Sequence, residues 1–299
     1  FTSMNVPYGV LSSVMTNKQN ERALLSISRA SLGALGVFVI SSYAPDLVEK
    51  FGGGPAGWQK TFLLVGVVSI VLFLITFYGC KERVGSGVME QKTGKKSSLS
   101  LLQGVKILMV NIFYTAMTSL YGMNMYFAKY VMQDAGYNKT MMMCSTFASI
   151  LVPLLLIPVV QKIGKRNVAL YGGAGMGIAG QIVLILFAEQ SMGLMYLGLI
   201  LRGMGVACIS ATKFGMIADS IEYGEYKTGT RAEGFVYSAA SLGVRVGSAL
   251  ASAVIGWVMG AYGYDGKMAV QSETAMKGIR IMFYYAPLAV FIAILALLL

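Results

Sequence analysis

The stretch EGFVYSAASLGVRVGSALAS, residues 233–252, is mostly apolar but carries an arginine, Arg245, near its middle. With about 20 residues it is long enough to cross a bilayer as an α-helix. An arginine at membrane depth costs at least about 2.5 kcal/mol on insertion scales, so it should face a wet cavity or a counter-charge. Gly243 and Gly247 lie on the other side of the helix, where small residues let a second helix approach closely. Four serines share the arginine's stripe, namely Ser238, Ser241, Ser248 and Ser252.

The composition of the whole chain agrees with a membrane protein. It is 56% hydrophobic and 12% charged and contains no histidine, which excludes an ordinary soluble domain. Several apolar runs reach the length of a spanning helix, so the sequence predicts an all-α polytopic protein with about nine crossings. The runs lie at about 4–15, 30–45, 61–79, 107–131, 141–161, 168–188, 192–217, 234–260 and 281–299.

The longest polar stretch divides these runs into two groups. Residues 81–104 are rich in Lys, Gly and Ser, and we interpret them as a cytoplasmic linker between helical bundles at 1–80 and 105–299. Six crossings follow the linker and about three precede it, so matching halves would require three more helices before Phe1. Because Phe1 and Leu299 both lie inside apolar runs, we expect the sequence to be cut at both ends.

The chain has a net charge of +11, and its basic residues are distributed unevenly among the connecting segments. Lys and Arg concentrate in every second connector, which is typical of cytoplasmic loops in a multi-pass protein of the cell membrane. A nucleic-acid surface would not alternate in this way, and we exclude a nucleic-acid partner. The connectors predicted to be cytoplasmic are 16–26, 80–104, 162–167 and 217–232.

Neither a metal centre nor an active site is indicated in this sequence. Cys80, Cys144 and Cys208 stand singly in or near apolar runs and suit small buried side chains. Without histidine, histidine-based nucleophilic catalysis and proton relay are absent. We therefore expect no enzyme, no cofactor and no metal site within these residues.

Polar side chains inside the apolar runs are the candidate binding residues. Hydroxyls, amides and aromatic rings suit a sugar, although the same groups serve for hydrogen bonds between helices. Asn5 precedes Pro7 in an apolar helix, and Arg29 lies near the inner end of its helix, where it either extends to the interface or faces a cavity. One face of the 107–131 run carries Asn111, Thr115, Thr118, Ser119, Gly122, Tyr126 and Lys129.

Two further cations share one helical face, eleven residues apart. Arg202 lies deep in its apolar run, and Lys213 either extends to the cytoplasmic interface or stays inside the bundle. Elsewhere, Pro153 and Pro158 should kink one helix. The glycines between Gly172 and Gly180 favour tight helix packing over a hinge.

Acidic side chains cluster in one predicted cytoplasmic connector, whereas the other inside connectors are basic. They are Asp219, Glu222, Glu225 and Glu233. Pairs between these acids and basic residues of other loops would form a gate that closes when the site faces outward. The alternative is a solvated loop with ion pairs worth about 0–1 kcal/mol each. The basic candidates for the gate are Arg22, Lys162, Arg166 and Arg231.

Two long motifs carry a family resemblance. ADSIEYGEYKTGTRAEGFVYSAASLGVRVGSAL at 218–250 and NVPYGVLSSVMTNKQNERALLSISR at 5–29 resemble the melibiose permease-like glycoside–pentoside–hexuronide:cation symporter family of the major facilitator superfamily. KIGKR at 162–166 is a weaker match to a basic loop of the superfamily. By this resemblance, residues 1–80 represent helices four to six and residues 105–299 helices seven to twelve of a twelve-helix carrier.

The resemblance implies symport of a glycoside, pentoside or hexuronide with Na⁺ or H⁺. Asn5 stands where related members have a sugar-binding aspartate, and Arg29 matches an arginine near the sugar. Arg245 matches a lysine near the sugar and cation sites, but arginine is effectively never deprotonated. The cation-binding acids of the family lie on its second helix, before these residues. The family's cytoplasmic gate charges are matched by Arg22, Asp219, Arg231 and Glu233.

The partners expected from this interpretation are a small sugar, a coupling cation and the lipid bilayer, with the protein a monomer. A carrier of lysolipids or other organic solutes with the same fold, a transporter-like sugar sensor and a membrane enzyme are the alternatives. The predicted sugar-binding residues are Asn5, Arg29, Thr115, Thr118, Tyr126, Ser241 and Arg245.

Overall fold

The computed structural model describes residue 15 and residues 19–80, 98–134, 136–228, 233–266, 268 and 270–299. These residues form helices and contain no β-strand, which confirms the all-α prediction for this part of the chain. The helices are α1 Gln19–Lys50, α2 Gly54–Gly79, α3 Ser98–Ser119, α4 Met123–Tyr126, α5 Tyr137–Leu155, α6 Ile157–Ile163, α7 Lys165–Asn167, α8 Met176–Phe187, α9 Met192–Thr228, α10 Glu233–Ala261 and α11 Glu273–Leu298.

Five helical stretches in this part of the chain are long and apolar enough to cross a membrane. They are Gly54–Gly79, Lys165–Phe187, Met192–Tyr226, Gly234–Ala261 and Glu273–Leu298. The first of them, α2, is apolar on all sides, and none of its most apolar window is buried within the protein. A helix with no polar face is typical of a segment that contacts lipid. The chain is therefore a multi-pass membrane protein.

Two helices are interrupted where the sequence gives a reason. Pro153 and Pro158 lie on either side of Leu156, where α5 ends and α6 begins, so the predicted kink is confirmed. After α3 the chain tightens into a 3₁₀ turn at Leu120–Gly122, and α4 is followed by a π-helical turn at Phe127–Val131. Such local changes of helix type often occur at functional sites.

Glycines bring three helices into close contact, as the sequence predicted. A Cβ added to Gly173 would lie 2.6 Å from Cγ1 of Ile209 on α9, and one added to Gly180 would lie 2.5 Å from the backbone nitrogen of Arg202. A Cβ at Gly177 would overlap the ring of Phe291 on α11. A larger residue at these positions would have to displace the buried Ile209 side chain, the backbone of α9 or the buried ring of Phe291.

Helix α9 lies at the centre of the arrangement. It packs against α8 and the preceding π-helical segment Val168–Gly175, and on its other sides against α5, α3 and α1. Helix α1 also contacts α5, so α1, α3, α5 and α9 surround a common space. Helix α10 packs mainly against α3.

Candidate functional site

A cavity of about 920 Å³ lies among α1, α3, α5 and α9. Its wall combines three kinds of side chain: aromatic rings, neutral hydrogen-bonding groups and cations. Cavities of this size hold small organic ligands, and a few polar groups in an otherwise apolar wall fix the orientation of such a ligand. The polar part of the wall includes Thr118, Asn138, Thr146, Ser149 and Ser210.

Two polar atoms of the wall are buried without a hydrogen-bond partner among the described residues. They are the hydroxyl oxygen of Tyr121 and Oδ1 of Asn138. A buried polar group without a partner costs about 1–3 kcal/mol, which makes such atoms exceptional in folded proteins. Both belong to side chains that line the cavity, so a ligand with hydroxyl groups can supply the missing hydrogen bonds.

Two cations lie at the same aromatic ring of the cavity. The guanidinium carbon of Arg29, on α1, is 4.5 Å from the ring centre of Phe214, and Nζ of Lys213 is 5.0 Å from that centre. Nζ of Lys213 also lies 3.9 Å from the ring centre of Tyr114 on α3. Lys213 is only 8% exposed, so it remains inside the bundle.

A third cation, Arg202, lies behind the cavity wall and is 1% exposed. Its Nη2 donates a hydrogen bond of 3.0 Å to Oδ1 of Asn124, which is itself fully buried. Its guanidinium carbon lies 4.9 Å from the ring centre of Tyr121 and 5.5 Å from that of Phe283. Arg202 therefore contacts Tyr121, which lines the cavity, without lining the cavity itself.

The structure brings only some of the predicted sugar-binding residues together. Arg29 and Thr118 line the cavity, and Asn5 lies outside the described residues. Thr115 is half-buried on α3, one turn before Thr118, and its carbonyl accepts the hydroxyl of Thr118.

Tyr126 lies against an aromatic cluster at one end of the bundle. Its ring packs edge-to-face on Tyr264 with ring centres 5.5 Å apart, and the hydroxyls of Tyr264 and Tyr130 are 3.2 Å apart. Burial, and then the hydrogen bond with Tyr130, raise the pKa of Tyr264, so its phenol stays neutral. Tyr126 is not among the described residues that line the cavity.

Helix α10 has the two sides that the sequence predicted, but its polar side does not border the cavity. A Cβ on Gly243 would lie 2.6 Å from the carbonyl oxygen of Leu108, and one on Gly247 would overlap that of Ile112, which confirms the packing side. Arg245 is exposed and Ser241 is half-buried, and neither is among the described residues lining the cavity. A role for them in sugar binding stays a prediction.

Two of the predicted gate charges, Arg166 and Asp219, line a second cavity of about 910 Å³ near the loop between α6 and α8. Nζ of Lys165 donates to both carboxylate oxygens of Asp219, at 2.6 and 2.8 Å. Arg166 donates to the backbone oxygens of Leu298 and Leu299, and Lys162 is exposed. The side chains of Arg22, Arg231 and Glu233 lie outside the described part of the structure.

Sequence reasoning did not include the main cation and rings of the cavity among the sugar-binding residues. Lys213 was left open between the interface and the interior, and Tyr114, Phe214 and Asn138 were not singled out. The available signal was the eleven-residue spacing from Arg202, which places both cations on the inner face of α9. Across the described residues no group of three or more Cys, Asp or Glu side chains could hold a metal ion.

Comparison with known proteins gives a consistent picture. The sequence profile of a family described as MFS/sugar transport protein matches residues 1–299. The chain is 31% identical to an isoprimeverose transporter of Lactiplantibacillus pentosus, over 97% of this chain and 62% of that protein. It is 26% identical to the uncharacterized symporter YnaJ of Bacillus subtilis (strain 168), over 99% of this chain and 65% of that protein.

A third relative is a glucuronide carrier protein homolog of Escherichia coli (strain K12). It is 24% identical over 96% of this chain and 64% of that protein. The chain thus spans less than two thirds of the length of these relatives.

Proposed function

Because the chain belongs to the MFS/sugar transport protein family, we propose that the complete protein carries a glycoside, pentoside or hexuronide across the cell membrane by alternating access. The family resemblance seen in the two sequence motifs is confirmed by the family match and by the three relatives. Those three relatives are named as a transporter, a symporter and a carrier, which supports a transporter and not an enzyme.

The observation that carries the proposal is the cavity with buried hydrogen-bonding atoms that lack partners in the described structure. The Tyr121 hydroxyl and Asn138 Oδ1 belong to side chains that line this cavity together with Tyr114 and Phe214. Sugars present hydroxyl groups at their edges and flat apolar faces, and both features match this wall. A lysolipid needs a long apolar channel for its chain, whereas this wall places hydroxyl and amide groups among its apolar residues.

The position of the cavity suits alternating access. Helix α1 precedes the linker, and α5 and α9 follow it. The cavity lies where α1 meets these two helices. Relative rocking of the two segments would open this contact to one side of the membrane at a time. We propose that Arg245 and its serine stripe face a further part of the same pathway.

Cation coupling is part of this proposal. One of the relatives is named as a symporter, which supports coupling. A cation drives accumulation only if it favours the conformation that binds the sugar, because a ligand shifts an equilibrium by its differential affinity alone. We place the main Na⁺ or H⁺ site on helices that precede these residues in the family.

At the predicted cytoplasmic side, the Lys165–Asp219 pair joins the α6–α8 loop to α9. We propose that this pair anchors the loop beside the gate and that Asp219 loses it when the gate rearranges. The loops at 16–26, 80–104, 162–167 and 217–232 are cytoplasmic in this proposal.

The test is uptake of labelled sugars by vesicles that contain the complete protein, with unlabelled xylosides, glucosides and glucuronides as competitors. Arg245→Ala should abolish cation-driven accumulation while leaving the amount of inserted protein unchanged. Arg245→Lys, which keeps the charge, is the matched control and should retain part of the uptake. Normal accumulation by Arg245→Ala would contradict the role of this residue, and no sugar uptake by the wild type would contradict the proposed function.

A further inference from the structure

The sugar-sized cavity contains more positive charge than a neutral sugar requires. Its described lining includes Arg29, Lys139 and Lys213 but no aspartate or glutamate. Lys139 is exposed, whereas Lys213 is more than nine-tenths buried. The cation that most needs compensation is therefore Lys213.

The surroundings of Lys213 compensate its charge only in part. Its ammonium lies 3.9 Å from the ring centre of Tyr114 and 5.0 Å from that of Phe214. Among the described residues, Nζ contacts these two rings, and no carboxylate lines the cavity. Cation–π contacts offset only part of the cost of removing an ammonium from water.

Arg29 adds to this positive field. Its guanidinium carbon is 4.5 Å from the centre of the same Phe214 ring, so both cations lie at one ring. An anionic group bound at Lys213 would also be attracted by Arg29. Arg29 and Lys213 belong to α1 and α9, on two sides of the cavity.

We propose that Lys213, assisted by Arg29, binds a negatively charged oxyanion group on the transported sugar. This proposal rests on the sugar-transport function above and specifies its substrate class as an acidic sugar, with a carboxylate or a sulfonate as the anionic group. The oxyanion accepts hydrogen bonds from the ammonium, while the sugar hydroxyls reach Tyr121 and Asn138. Charge-assisted hydrogen bonds in a site that excludes water are the stronger kind.

The two cations belong to different helices, and this has a consequence for how a bound anion acts. An anionic group bound between Arg29 and Lys213 links α1 to α9 directly. A neutral sugar lacks this link, so it should bind with lower affinity although its ring and hydroxyl groups fit the same wall.

The experiment compares sugars that differ only in the charged group. Methyl glucuronide is paired with methyl glucoside, methyl galacturonide is paired with methyl galactoside, and a 6-sulfonated glucoside serves as the sulfonate probe. Sugar exchange is measured in vesicles of the complete protein without an imposed ion gradient, so the membrane potential does not select for charge. The variants are Lys213→Gln, Lys213→Arg and the control Lys60→Gln, which changes an exposed lysine of α2 away from the cavity.

We expect the wild type to prefer an acidic sugar over its neutral partner by at least tenfold. Lys213→Gln should reduce this preference by roughly tenfold to a hundredfold, the effect of losing a hydrogen bond to a charged group. Lys213→Arg should retain part of the preference, and Lys60→Gln all of it. If the carboxylate and sulfonate probes differ in affinity, the stronger one identifies the natural oxyanion.

Three results would overturn the inference. Equal affinity of the wild type for acidic and neutral partners would remove its premise while leaving sugar transport intact. Equal loss of both partners in Lys213→Gln, with normal amounts of protein, would show that Lys213 serves the fold instead of the anion. Failure of the wild type to exchange any sugar in the panel would contradict the proposed function together with the substrate class.

Discussion

The hydrogen bond between Arg202 and Asn124 should be a major contribution to the stability of the bundle. Asn124 is fully buried and Arg202 is 1% exposed, so water cannot replace either partner. The bond measures 3.0 Å, and Nε of Arg202 is already without a partner among the described residues. Hydrogen bonds to charged groups contribute about 1.5–3 kcal/mol net, and a buried donor left unpaired loses that contribution in full.

Replacing Asn124 with leucine should therefore lower the free energy of unfolding by about 2 kcal/mol. Asn167 provides a matched control because its side chain also donates one hydrogen bond, to the carbonyl oxygen of Ile163, but on an exposed surface. Asn167→Leu should change the free energy by at most about 0.5 kcal/mol.

The assay is unfolding of the purified complete protein in mixed micelles, with the denaturing detergent titrated. A double variant, Arg202→Met with Asn124→Leu, removes the charge and its partner together and should recover to within about 1 kcal/mol of the wild type. If Asn124→Leu proves as stable as Asn167→Leu, or if the double variant is less stable than the single one, the account of Arg202 as a buried charge held by Asn124 is wrong.

Two further variants test the cytoplasmic pair and the glycine contact. Asp219→Lys should lower sugar accumulation, and adding Lys165→Asp should restore it better than adding Arg22→Asp. The coupling between Asp219 and Lys165 should be about 1 kcal/mol, or roughly fivefold in accumulation. Rescue by Arg22→Asp and not by Lys165→Asp would instead favour a gate in which Asp219 pairs with Arg22. Gly247→Ala should destabilise the bundle by about 1–3 kcal/mol because its Cβ would meet the backbone of α3. Gly256→Ala, on the same helix with nothing within 4 Å, should be neutral or stabilising by up to about 1 kcal/mol. Equal detergent stability of the two glycine variants would refute the contact.

Much of the architecture could be predicted because it depends on local pattern. Runs of apolar residues set the helices, since the bilayer requires every backbone group to be paired within the helix. The break between α5 and α6 follows from Pro153 and Pro158. The packing side of α10 follows from the spacing of Gly243 and Gly247, which fixes one face whatever the partner helix is.

The site was predicted less well because it depends on which helices meet. The charge of Asp219 was evident from the sequence, but its pairing with Lys165 depends on how the α6–α8 loop folds beside α9. Lys213 is one of two lysines within the apolar runs, the other being Lys129. Only the approach of α1 brings Arg29 to the same ring as Lys213. Asn111, expected on a sugar-binding face, instead donates to the carbonyl oxygen of Ile107 within its own helix.

The close approach of α10 to α3 also bears on how the helices can move. With no side chain between the backbones at Gly243 and Gly247, the two helices are in direct contact, so we expect them to move together as one rigid body. Pairs of spin labels on these two helices should keep a constant separation throughout the transport cycle. Labels placed on α1 and α5 should report the full displacement of these two helices relative to each other. The α3–α10 pair can therefore serve as the fixed reference for measuring that displacement.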